Sequence, residues 1–83
     1  MHTEAVLETA ARVMAPYLGE NMARASARAH CQKLGIEGGQ VTREKAEALL
    51  TKLATGLSVF VGREKAAAIV EEIRQALAGM STP

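Results

Sequence analysis

Tryptophan is absent from this chain, and Tyr17 and Phe60 are its only aromatic residues. An interior without large rings must be filled by Ala, Leu, Val, Ile and Met, which bury less apolar area per residue at roughly 25 cal/mol per Å². There is one cysteine, Cys31, so an internal disulfide is excluded and no thiolate cluster is available for a structural metal. An excess of one charge is missing too. Ten Lys and Arg against nine Asp and Glu leave a formal +1, without the basic run that marks a chain built for nucleic acid or anionic membrane. No apolar run approaches the ~18 residues of a membrane span, and the opening Met1-His2-Thr3-Glu4 is polar rather than basic and then apolar. The expected address is therefore cytoplasmic, with no membrane partner.

What the chain does have is a repeat. Leu7 to Ala25 returns 43 positions later as Leu50 to Ala68: Leu7 matches Leu50, Ala11 Ala54, Met14 Leu57, Tyr17 Phe60, Leu18 Val61, Gly19 Gly62 and Ala23 Ala66. Each copy reads as an apolar helical stripe, an aromatic-aliphatic-glycine corner and a second, alanine-rich helix. The expected fold is all-α, a four-helix arrangement of two quasi-repeated hairpins in a single domain, with hairpins at 3–34 and 42–79 and a linker at 35–41. At 83 residues a single core only just offsets chain entropy, so burial in a homodimer is an expected supplement.

Spacing places the elements. Leu7, Ala10, Ala11 and Met14 fall at i, i+3, i+4 and i+7, one face of a helix from about Glu4 to Ala15 with Thr3 as N-cap. Pro16 is expected to turn the chain, carrying Tyr17 and Leu18 into the corner as apolar plugs. The second helix is expected to begin after Gly19 and to end near Leu34, with Gly35 in the left-handed C′ position. Its alanines occupy several faces, which predicts a central helix or one buried against a second copy. Gly38-Gly39 marks the linker. Thr42 caps a third helix that buries Ala46, Leu49, Leu50, Leu53 and Leu57. The short apolar run Val59-Phe60-Val61 is read as helix-end packing rather than a strand, having no pairing partner elsewhere. The last helix, from Arg63 to about Ala78, carries Ala66, Ile69, Val70, Ile73, Leu77 and Met80 on one stripe, with Gly79 as its stop.

Chemistry-bearing groups are sparse. His30 and Cys31 are adjacent on a helix and point about 100° apart, so they do not grip one ion together, and no metal, cofactor or catalytic residue is assigned. Gly19 and Gly62 open helices whose first turns are acidic, which suits capping better than phosphate binding. The candidate site is a protein interface. One face of the second helix offers Met22, Ala23, Ser26 and Ala27 for burial, and the corners offer Tyr17 and Phe60. Arg24 and Arg28, at i and i+4 with Arg12 nearby, would select an acidic partner. Two alternatives stand beside this non-enzymatic protein-binding or oligomerisation module: a small nucleic-acid-binding regulator using Arg24 and Arg28, and a small-ligand or metal-binding helical protein.

The stretch Ala15-Pro16-Tyr17-Leu18-Gly19 with Met22-Ala23-Arg24-Ala25-Ser26-Ala27-Arg28-Ala29, followed by Leu49-Leu50, Leu53-Ala54 and Arg63-Glu64-Lys65-Ala66, resembles a small helical domain found at the C-terminal ends of bacterial signalling proteins such as serine/threonine kinases and response regulators. That family commonly has a proline after the corner glycine, where this chain has Glu20. The resemblance implies an adaptor or oligomerisation role in signalling and transfers no catalytic residue.

Overall fold

A computed structural model describes residues 2–36 and 39–80 of the chain. Among them are four helices, α1 (Thr3–Leu18), α2 (Glu20–Lys33), α3 (Arg43–Val61) and α4 (Arg63–Met80). α1 packs on α2 and α3 on α4 as hairpins, and the ring closes through the seams α1–α4 and α2–α3. The repeat is structural. Gly19 (φ 88°, ψ 152°) and Gly62 (φ 89°, ψ 162°) adopt the same backbone conformation, one that is essentially confined to glycine. The Gly19 N–H donates to the Ala15 carbonyl at 2.8 Å, and Ala23 N–H donates to the Gly19 carbonyl at 2.9 Å. Forty-three residues later, Gly62 donates to Ser58 and Ala66 donates to Gly62, each at 3.0 Å. A single residue thus ends one helix and starts the next in each hairpin.

Three expectations about helix ends are corrected. Pro16 lies inside α1 rather than ending it. Its missing N–H leaves the Arg12 carbonyl without its ladder partner, but Arg12 and Pro16 are both exposed, so water can satisfy that carbonyl within the last turn. Thr3 is buried in the first turn of α1, and His2 is the N-cap, its Nδ1 accepting from the Glu4 N–H at 3.3 Å. Gly79 does not stop α4, which continues to Met80. Thr42 does cap α3, its hydroxyl accepting from the Lys45 N–H at 3.2 Å.

The α3 stripe Ala46, Leu49, Leu50, Leu53 and Leu57 is buried as spaced, as are Ala66, Ile69, Val70, Ile73 and Leu77 of α4; the Met80 side chain lies outside the described residues. The most buried helix is α1, where Thr3, Val6, Leu7, Thr9, Ala10, Ala11, Val13 and Met14 turn inward. This corrects the expectation that α2 is central within the chain. It buries only Ala23, Ala27 and Cys31, a strip at i, i+4 and i+8, and its remaining small residues face outward because Ala and Ser carry too little apolar area to demand cover.

The linker does more than span. Of its glycine pair, Gly38 lies outside the described residues and Gly39 has φ 69°. Gly35 (φ 70°) closes α2 in a Schellman arrangement: Ile36 N–H donates to the Cys31 carbonyl at 2.8 Å and Gly35 N–H to that of Gln32 at 3.1 Å, with Ile36 and Cys31 both buried. Thr3 donates its N–H (3.0 Å) and its hydroxyl (3.2 Å) to the Gly39 carbonyl. Lys45 Nζ donates to the Leu34 carbonyl at 3.3 Å, placing a cation at the negative end of α2. The linker is thereby fastened to three helices.

Candidate protein-docking groove

The two seams are related by the 43-residue repeat and differ in what fills them. At the α1–α4 seam, Val13, Ile69 and Ile73 are buried. Their counterparts at the α2–α3 seam are Gly56, Ser26 and His30. Replacing Val and two Ile by Gly, Ser and His removes branched apolar volume and leaves an open groove of about 280 Å³ lined by Leu18, Met22, Ala25, Ser26, His30, Gly56, Leu57 and Phe60. Leu57 is buried beneath it. Phe60, 64 % exposed, and Met22, 51 % exposed, belong to its lining. Unpartnered apolar side chains beside a concave surface are the ordinary signature of an interaction site.

His30 is held in one orientation. Its Nδ1 lies 2.8 Å from the Ser26 carbonyl; a carbonyl only accepts, so Nδ1 carries the proton in that bond. Nε2 is left on the side of Gly56, where an added Cβ would meet it at 3.5 Å. The groove wall thus sets the His30 ring and the Ser26 hydroxyl among apolar side chains. The neighbouring Cys31 is buried, and that burial pushes its thiol above the ordinary value, which keeps it protonated and unreactive. Among the described residues no group of three or more His, Cys, Asp or Glu is placed to hold a metal ion, and no helix is long and apolar enough to cross a membrane.

The sequence-derived interface residues separate into four places. Met22, Ser26 and Phe60 come together in the groove. Ala23 and Ala27 do not, being fully buried in the chain's own core. Arg24 and Arg28 stand on the far side of α2. Arg24 Nη1 donates to Glu8 Oε1 of α1 at 3.0 Å, and this hydrogen bond, then the carboxylate charge, raises the guanidinium above its ordinary value. The carboxylate offsets one charge of the arginine patch, and Arg28 remains exposed.

Tyr17 is 44 % exposed but is absent from the lining of Phe60's groove. The two aromatics are therefore surface residues, and the corner plugs are the half-buried Leu18 and Val61 packed against the core. Sequence reasoning passed over Ala25, His30 and Gly56 as groove residues. For His30 and Gly56 the signal was the mismatch between repeats, polar or small in one half where the other has Ile73 or Val13, whereas Ala25 is matched by Ala68 and carried none. No family model, curated protein or solved structure matches the chain.

Proposed function

We propose that this chain is a non-enzymatic protein-interaction module that receives a row of partner side chains in the α2–α3 groove. The observation that carries the reading is the asymmetry between the seams. Of two equivalent helix junctions, one is filled by Val13, Ile69 and Ile73, and the other leaves Phe60 and Met22 without apolar cover. Burying such side chains is worth ~1.5–3 kcal/mol each, so leaving them exposed forgoes stabilisation that a partner can recover. A regulatory or adaptor role in bacterial signalling fits a small module of this kind and fits the family resemblance. No catalytic residue or cofactor forms part of the proposal.

A photoreactive side chain tests it in cells. Installed at Ala25, exposed and on the groove wall, it is expected to give one discrete protein adduct that Gly56→Val suppresses. The same group at Ala67, exposed on α4, serves as the comparison. Equal labelling from both positions, or an Ala25 adduct indifferent to Gly56→Val, removes the reading.

A further inference from the structure

The groove has two unlike ends. Its lining sets Met22 beside Phe60 at one end, and His30 packs beside Gly56 further along. The antiparallel pairing continues one turn on to Lys33 of α2 and Lys52 of α3, both exposed. Neither lysine makes an ion pair among the described residues. No acidic residue lies between Glu20 and Glu37 or between Glu47 and Glu64, so nothing on α2 beyond its first residue, or on α3 beyond its first turns, offsets these cations. The filled seam has no such pair: the counterparts of Lys33 and Lys52 are the half-buried Ala76 and the buried Thr9. The cations therefore accompany the open seam alone.

Resting on the docking reading above, we propose that the groove takes an acidic amphipathic helix of another protein, with apolar anchors at the Met22–Phe60 end and carboxylates at the Lys33–Lys52 end. A helix is the occupant that fits a trough between two helices, through anchors at i, i+3 and i+4. Met22 to Lys33 is eleven residues of helix, about 16 Å, which separates the partner's anchors from its carboxylates by about three turns. A second copy seated groove to groove in parallel would set each lysine pair against another, and like charges opposed across an interface suppress that arrangement; the antiparallel arrangement is read by the mass of the chain in solution.

The probes are synthetic helices of about 16 residues (roughly 24 Å) with leucines at i, i+3 and i+4 in one half and three glutamates in the other, made in both orders, with matched versions carrying glutamine or lysine for glutamate. Isothermal calorimetry on the full chain should rank glutamate above glutamine by roughly tenfold at low salt, as two rim pairs of ordinary strength allow. The gap should narrow as salt is added. Lys33→Glu with Lys52→Glu should invert the ranking in favour of the lysine probe. Gly56→Val with Ser26→Ile and His30→Ile, which copies the filled seam, should abolish binding of every probe. If that triple variant loses its helical signal, Phe60→Glu at an exposed position replaces it.

Equal affinity for glutamate and glutamine probes overturns the acidic partner while leaving the docking reading intact. No binding by any probe, or binding undiminished in the filled variant or in Phe60→Glu, overturns both. A chain mass that doubles with concentration and reverts on filling the groove overturns this proposal in favour of a second copy.

Discussion

Replacing Gly19 by alanine isolates the energetic cost of a corner. A Cβ built there meets no atom within 4 Å, and the same holds at Gly62, so the penalty is one of backbone alone. Holding an L-residue near φ 88°, ψ 152° costs about 1–3 kcal/mol. Total stability for a domain of this length is about 4–12 kcal/mol at 0.05–0.15 kcal/mol per residue. With about 4–8 °C of melting temperature per kcal/mol for a small domain, Gly19→Ala and Gly62→Ala should each lower the midpoint by roughly 4–24 °C, and the repeat requires the two losses to be alike. Gly79 is the control. It lies within α4 with open space around its Cβ position and no positive φ, so alanine there should raise the midpoint through helix propensity, by up to ~1 kcal/mol. Thermal melts followed by circular dichroism read all three. D-alanine at position 19, whose mirrored angles fall beside the broad β region, should recover most of the loss. Gly19→Ala and Gly79→Ala shifting the midpoint in the same direction, or D- and L-alanine at 19 behaving alike, would refute the assignment of strain to this corner.

Three shorter predictions follow from the core and the surface pairs. Ala23→Glu, at a position the sequence pattern offers to a protein interface and the fold buries, places a carboxylate in the interior at a cost of several kcal/mol; loss of the cooperative melt is expected, and a folded variant with an unchanged midpoint would contradict the burial of α2's inner strip. Cys31 should resist iodoacetamide in the native state and react at the unfolded rate in denaturant, so rapid native labelling at pH 8 would show the thiol to be accessible. Glu47 is held below its ordinary value of 4.5 by its hydrogen bonds from Arg74, which bridge α3 to α4 at 3.0 and 3.3 Å. Because the folded value is depressed, its contribution is complete above the ordinary carboxylate range and is lost as pH falls through the folded value; Glu47→Gln should flatten that part of the acid titration of stability, and an identical acid limb would argue that the pair contributes nothing.

The hairpins, the equivalent corners and most of the buried stripe were legible in the residues because period and punctuation are local properties. Leu49, Leu50, Leu53 and Leu57 announce a face at helical spacing, and Gly19 and Gly62 announce breaks. Proline misled at position 16 because its penalty depends on whether the freed carbonyl faces water, which is a tertiary fact. Alanine misled in α2 for the opposite reason: a residue with almost no side chain is compatible with burial and exposure alike, so Ala23 and Ala25 look equivalent in the sequence and lie on opposite sides of the helix wall. The linker hid Ile36 and Val41, both buried, because isolated apolar residues between glycines have no period to read. The groove was the least visible feature. It exists through missing volume, and only placing His30 against Ile73 and Gly56 against Val13 makes that deficit appear.

Fastening Thr3 and Lys45 onto the segment that joins the hairpins carries a topological consequence. The polypeptide leaves α2 and enters α3 through a knot of backbone hydrogen bonds shared with the first turn of α1, so the two halves cannot drift apart as beads on a string. Exchange of a hairpin with a neighbouring molecule, the usual hazard of duplicated chains, must first break those bonds and expose Ile36 and Val41 to water. Duplication has here been combined with a clasp, which favours each molecule closing upon itself.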